Sequence, residues 1–359
     1  LSLDIVSSGS NGVLAGDITG AGDVVKAGAG TLTMSGTNTY TGGTTVNAGV
    51  LKAGSTTTGG AGSITDGPFG TSTVTINDGA ALNLDGNSIA NDLALTGSGI
   101  SNGGALVIGG SAVTLDGNIG LGASTTINAA SNLTLNGTLQ AKNAGTAMAL
   151  TFTGAGDVVV DGAQLIEADT TINNTGGSLT FNGAIDAAAG ASSSVLTLDN
   201  DGGLTLNGTV GGTTALSALD IKHTATIDAG VTTAGNQSYG GAVTINPATA
   251  SFLATAGNIT FSDAINAGPA DSAGSVVNIT AQDGDIQLDG NVTAQTLNVT
   301  ASGDLTMAGD ADADAMTADI GGSSSTVSGA LTLANGLTKA GLGSLTFTAD
   351  NSGTTTVDV

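Results

Sequence analysis

The sequence predicts an all-β fold, a β-solenoid running as one continuous stack through residues 1–359, and three observations carry that prediction. The first is a short theme in which apolar and polar residues alternate and a Gly turn follows. It recurs as LNLDGNSI from Leu82, VTLDGNI from Val113, LTLNGTL from Leu133, LTFNGAI from Leu179, LTLNGTV from Leu204, IQLDGNV from Ile286 and LTMAGDA from Leu305. Most starts lie about 20 to 30 residues apart, or about twice that where a copy is too degraded to recognise, which is one coil per repeat. The second is composition. With 60 Gly, 3 Pro, no Trp and 2% aromatic residues, the chain lacks the large rings of an ordinary globular core. Val, Ile, Leu and Thr with Ala and Gly suit a narrow core of many short strands, each layer burying a few aliphatic side chains against the next. The third is hydropathy. A hydrophobic fraction of 40% and a mean hydropathy of +0.28 argue against disorder, although Gly, Ser, Thr, Asn and Asp abound.

The chain opens with LSLDIV from Leu1, strand-like from the first residue, with no basic segment leading into an apolar one. No apolar run approaches the roughly 18 residues of a membrane span. Either a signal and anchor were removed, or this is a segment of a longer protein. Residues 30–54, GTLTMSGTNTYTGGTTVNAGVLKAG, then read as strand, turn, strand: Leu32 and Met34 alternate with Thr, Gly36 to Asn38 break the run, and Thr44, Val46, Val50 and Leu51 resume it. This stretch resembles the autotransporter-associated β-strand repeat, roughly GxLTLSGxNTYTGGTTVNAGxL. The motif occupies residues 26–54. The resemblance implies a bacterial surface or secreted passenger built as a right-handed parallel β-helix, a single elongated rod.

Residues 55–70, dense in Gly, Thr and Ser and holding Pro68, read as a loop excursion between coils. Beyond it, second strands alternate with the theme: TTIN from Thr125, TTIN from Thr170, VTIN from Val243, VNIT from Val277 and LNVT from Leu297. Each coil is drawn as two or three strands of three to five residues, alternate residues pointing inward. At about 22 residues per coil and about 4.8 Å per layer the stack would be on the order of 75 Å long. Residues 186–194, DAAAGASSS, come nearest to a helix, and their Gly and Ser favour a loop. Near the end, Lys339-Ala340-Gly341-Leu342-Gly343 followed by SLTF echoes Lys26-Ala27-Gly28-Ala29-Gly30 followed by TLTM, so residues 339–357 read as a degenerate second copy. The echo suggests about one period of a longer array. Both termini read as strands without polar caps, so the ends are expected to stack on neighbouring coils of the same polypeptide or on another subunit.

Charge narrows the partners. The net charge is −24, with five Lys and no Arg, which leaves no basic patch for nucleic acid and repels anionic lipid, so no membrane insertion of this segment is expected either. Only Glu167 among the 29 acidic residues is Glu, so the negative charge is placed at turns, where Asp is favoured. The absence of Cys removes disulfides and thiolate chemistry.

Candidate chemistry is sparse. His223, the one His, reads as an exposed strand residue, because no Cys or GxSxG nucleophile and no second metal ligand accompany it. β-Helices also serve as polysaccharide lyases and hydrolases, but those need paired carboxylates with basic and aromatic platforms, and here Tyr40 and Tyr239 are the only tyrosines. Tyr40 reads as a packing residue of the motif. Asp310, Asp312 and Asp314 in GDADADAM have the alternate spacing that gathers Ca²⁺, and Asp199 and Asp201 in DNDGG form a smaller version. Ala315 and Met316 follow where an EF-hand needs Gly, so an acidic turn is favoured over a metal site and no cofactor is expected. Thr runs at Thr56, Thr71 and Thr354 raise a flat ligand-binding face, against which stands the variable repeat length. Asn132, Asn207 and Asn298 fit sequons that follow trivially from repeats rich in Asn and Thr.

With the resemblance, the sequence therefore predicts a non-enzymatic extracellular passenger of an autotransporter-like or two-partner-type adhesin. Its middle and C-terminal coils, such as LNVTASGDLTMAG from Leu297, also look like those of filamentous haemagglutinins. Expected roles are surface attachment, aggregation or matrix formation, with host or bacterial receptors or glycans as partners. The alternatives are a filament subunit stacked end to end and a carbohydrate-binding or carbohydrate-cleaving solenoid.

Overall fold

The computed structural model describes residues 2–4, 10–141, 146–191, 193–268, 274–348 and 357–358. Among these, every assigned strand ladder is parallel, and the only helical element is one 3-10 turn, Ile100–Asn102. The chain divides into two compact units. The first is Leu1–Gly183 with Gly190–Ser192 and Asn200–Gly202; the second is Ala184–Ala189 and Ser193–Asp199 with Gly203–Val359. Each is a β-solenoid, as the fold class predicts.

In the first unit, side chains that point inward stack directly on their counterparts one coil away. One such column runs Leu32, Leu51, Leu82, Leu106, Ile127 and Phe152, and reaches Asn174. A second runs Val46, Ile76, Leu95 and Leu121. A third side forms where Leu115, Leu135, Val160 and Phe181 align. The aliphatic and aromatic members of these columns are all buried. Burying one such side chain stabilises by about 1.5–3 kcal/mol, and the alternation that buries it sends its Thr neighbours outward.

The second unit has three strand columns. One begins at Leu204–Leu206 and continues through Ala225–Ile227, Val243–Thr244, Ile265–Asn266, Val292–Thr293, Ala311–Ala313 and Leu331–Leu333. Another stacks Tyr239, Phe261, Leu288, Met307 and Val327. The third pairs Thr249–Ala254, Val276–Ala281, Thr296–Ala301 and Ala315–Ile320 in unbroken register. Tyr239 and Phe261 stack at 4.3 Å between ring centroids, and Phe252 meets both edge-on at 5.5 and 5.2 Å. Coil-to-coil hydrogen bonds span from 17 to 28 residues, and from 29 to 34 where the excursion at 55–70 intervenes.

The recurring theme does not mark one side of the coil. Leu82 stacks between Leu51 and Leu106, whereas Val113, Leu133 and Leu179 lie in the third column of their unit. Ile286 and Leu305 pair with each other in the Phe261 column, whereas Leu204 belongs to the column of Val243, which was read as a second strand. All sides face the same kind of core, so all use the same apolar alternation. The copy missing between Leu133 and Leu179 is Val158–Val160, VVVDG, held in register with both. Thr also aligns despite unequal coils, because the turns absorb the length differences: Ser238, Thr260, Gln287, Thr306, Thr326 and Thr346 form one outward line. A second line runs Thr205, Thr226 and Thr244. The objection from coil length therefore fails, but a Thr line on more than one side reflects strand preference rather than one dedicated face.

Candidate functional site

The motif of residues 26–54 is where buried polar groups gather. Its strands are Val24–Ala27, Thr31–Met34, Thr44–Val46 and Gly49–Ala53. Lys26 is fully buried, and its Nζ donates to Ala27 O at 2.9 Å, Gly28 O at 2.7 Å and Ala48 O at 2.9 Å. A buried ammonium is tolerable only when such dipoles replace its hydration. The third carbonyl belongs to the next coil, so the lysine ties two layers. Asn38, also buried, accepts from Ile18 N at 2.8 Å through Oδ1 and donates to Pro68 O at 2.7 Å through Nδ2.

Tyr40 is 1% exposed, and its hydroxyl lies 2.5 Å from Thr44 Oγ1, which donates to Phe69 O at 3.1 Å. Burial pushes its pKa up to about 12, against the smaller opposing effect of the Thr44 bond. The excursion at 55–70 is thus not merely extruded. It bridges on itself at Thr58 and Asp66, pairs Gly67 with Asn38, and returns with Pro68 and Phe69 buried. Gly70 closes it at φ +66°, where a Cβ would lie 2.6 Å from Tyr40 O and 2.7 Å from its ring.

The carboxylates at the corners serve the same purpose. An Asx side chain there accepts the backbone N–H of the corner one coil on, taking the place of a strand carbonyl. In the first unit Asp17 accepts from Thr37 N at 2.7 Å, Asp23 from Gly43 N at 2.9 Å, Asp92 from Asn118 N at 2.7 Å and Asp157 from Ser178 N at 2.9 Å. In the second, a continuous series passes from Asn236 to Asn258, Asp285, Asp304 and Ser324, with bonds of 2.7–2.9 Å. The short reach of Asp and Asn fits this bond, which accounts for the near absence of Glu. The Ser178 hydroxyl and then its N–H hold the Asp157 carboxyl below the usual range.

The Ca²⁺ candidates are placed by this scheme. Asp310 receives Ala330 N at 2.7 Å and gives its own N–H to Asn291 Oδ1 at 3.0 Å. Asp312 points outward from the middle of Ala311–Ala313, and Asp314 lies in the following turn, its N–H on Gln295 O at 2.9 Å. Their carboxylates do not converge at metal-ligand spacing among the described residues. His223 sits in a bend between Ala218–Ile221 and Ala225–Ile227, not in a strand, with its Nε2 2.9 Å from Asp199 Oδ1. Asp201 donates its N–H to Asn174 O at 3.2 Å. The Thr354 run lies outside the described residues.

A family model described as the passenger-associated-transport-repeat matches residues 24–53 and again residues 337–358. The chain carries this autotransporter passenger repeat twice. No curated protein and no solved structure matches it. Passengers with this repeat are exported, to the cell surface or beyond it, and no helix among the described residues is long and apolar enough to cross a membrane.

The buried Lys and Asn of the passenger repeat escaped the sequence reading. The signal for the lysine was present, because two of only five Lys precede Ala-Gly-x-Gly. In the second copy Lys339 again turns onto the following carbonyls, Ala340 O and Gly341 O. There Leu345 and Phe347 are half-buried and Leu342 fully exposed, around a hollow of about 420 Å³ lined also by Leu337.

Proposed function

We propose that this chain is a structural and adhesive passenger segment that presents its lateral surface for attachment, cell aggregation or matrix formation, and that it catalyses no reaction. The observation that carries this reading is the use made of polar side chains in the passenger repeat and at the corners. Lys26, Asn38, Asp157, Asp304 and Asp310 each bind the backbone of a neighbouring coil, which is the chemistry of a scaffold. Its partners on this reading are receptors or glycans of host or bacterial surfaces. The test is display: the chain joined to a signal peptide and an outer-membrane translocator barrel, with surface exposure scored by added protease and cell aggregation by sedimentation. Exposed chain with faster settling than the empty translocator supports the proposal. Exposed chain with neither settling nor attachment to abiotic or cellular surfaces refutes it.

A second reading, end-to-end association, is favoured by the apolar hollow around Leu342. In the first copy the corresponding Leu32 and Met34 are buried under Gly49–Ala53, so the second copy presents a surface of the kind that a further coil covers. Sedimentation velocity decides it. Higher species that vanish in Leu342→Asp support association, and a single species at all concentrations refutes it.

A further inference from the structure

We propose that Asn335 is a site of spontaneous deamidation and isomerisation, and that Asn136 and Asn182, in the same Asn-Gly sequence context, are protected from it by an alternating column of Asp and Asn. The first unit places Asp116, Asn136, Asp161 and Asn182 at successive levels of one corner. The residues before them pair as Leu115 with Leu135, Leu135 with Val160 and Val160 with Phe181. Asn136 Nδ2 donates to Asp116 Oδ1 at 2.6 Å, and Asn182 Nδ2 donates to Asp161 Oδ1 at 2.6 Å. Each amide is gripped by a carboxylate, the stronger kind of hydrogen bond. The backbone is equally confined. A Cβ at Gly137 would lie 2.2 Å from Gly117 O, and one at Gly183 2.2 Å from Gly162 O.

Asn335 differs in its side chain. Its side chain is exposed and holds no hydrogen bond among the described residues. Its backbone N–H is bound to Asp314 O at 2.5 Å and Gly336 O accepts from Met316 N at 3.2 Å, with Gly336 at φ +88°. Among the described residues nothing holds the carboxamide away from the following peptide nitrogen, and Gly offers no side chain to hinder approach.

The chemistry needs only water. The Gly336 nitrogen gives up its proton and bonds to Asn335 Cγ, the bond from Cγ to the amide nitrogen breaks, and ammonia leaves with that proton. The resulting succinimide takes up one water at either carbonyl, giving aspartate or isoaspartate, with no change of oxidation state. The product carries a new carboxylate at the surface, and isoaspartate adds one backbone carbon at the corner.

Intact chain incubated in mildly alkaline buffer is digested, and the peptides holding residues 136, 182 and 335 are followed by mass spectrometry, with enzymatic methyl transfer detecting isoaspartate. Conversion at Asn335 about tenfold or more faster than at Asn136 and Asn182 is expected, as is convergence of the three rates in concentrated urea. Asp116→Ala should bring the Asn136 rate up towards that of Asn335. Conversion at Asn136 or Asn182 as fast as at Asn335, no conversion at Asn335, or rates that stay separated in urea would each overturn the proposal.

Discussion

Raising the pH above 10 should remove stability through Tyr40. The phenol sits 1% exposed against Thr44 with its pKa raised from 10.0 to about 12. A folded-state pKa above the unfolded value means that the fold prefers the protonated form. That preference is fully present below pH 10 and is lost as pH rises through about 12. Two units at 1.36 kcal/mol each give on the order of 2–3 kcal/mol. Tyr40→Phe supplies the comparison, since it keeps the ring and cannot ionise. At pH 8 the phenylalanine variant should be less stable by about 1–2 kcal/mol, the value of the hydroxyl bond to Thr44 and of the partner left unsatisfied. Near pH 12 the order should invert, because the wild type has by then lost roughly 2 kcal/mol, most of that preference, while the variant has no phenol to ionise. Urea unfolding followed by circular dichroism at stepped pH measures both curves, and lysine titration cancels in their difference. Phenolate absorbance in a Tyr239→Phe background locates the ionisation. A phenolate midpoint near 10 in a chain that remains folded, or parallel stability curves for wild type and Tyr40→Phe, would refute the reasoning.

Other predictions rest on single contacts. Gly70→Ala should destabilise the first unit by about 1–3 kcal/mol, since the added methyl strikes Tyr40 at a left-handed φ, and limited proteolysis should then cut within residues 55–70. Phe252→Ala removes the edge-on partner of Tyr239 and Phe261 and should cost about 3–5 kcal/mol in denaturant unfolding, whereas Phe252→Leu should cost clearly less. Asp304→Ala strands Ser324 N and should cost about 1–2 kcal/mol, while Asp304→Asn, which keeps the acceptor, should stay within about half of that. Asp157 should titrate below an ordinary aspartate by carboxyl NMR, and Ser178→Ala should move it back up. Because its folded pKa is depressed, its contribution is present above the unfolded pKa and fades as pH falls through the folded one.

The parts of the molecule legible from sequence are those governed by period two. Leu32, Met34, Val46 and Leu51 are buried as their alternation requires, and residues 24–53 match the passenger repeat that the same stretch resembles. Assignment of strands to sides was not legible, because Leu133 and Leu305 face chemically equivalent cores and carry the same three-residue pattern. Nor was the destination of polar groups. Asp157 and Asp304 look like solvated corner charges until the register sets the next coil's N–H opposite them. Lys26 is the sharpest case: an isolated lysine in a strand normally reads as exposed, and only the carbonyl of Ala48, one coil further on, reveals why it points inward.

The turns that absorb unequal coil lengths make the corners natural places for change. The strand register at Thr44 and Val74 survives a full excursion between them, and that at Phe252 and Ile279 survives a coil of different length from the one at Ile279 and Val299. A loop of foreign sequence, such as a binding peptide, could therefore be spliced into a corner without shifting the strands on either side. Loops added at several corners of one unit would stand at heights set by whole numbers of layers, so that each unit offers a graduated scale on which recognition elements can be spaced.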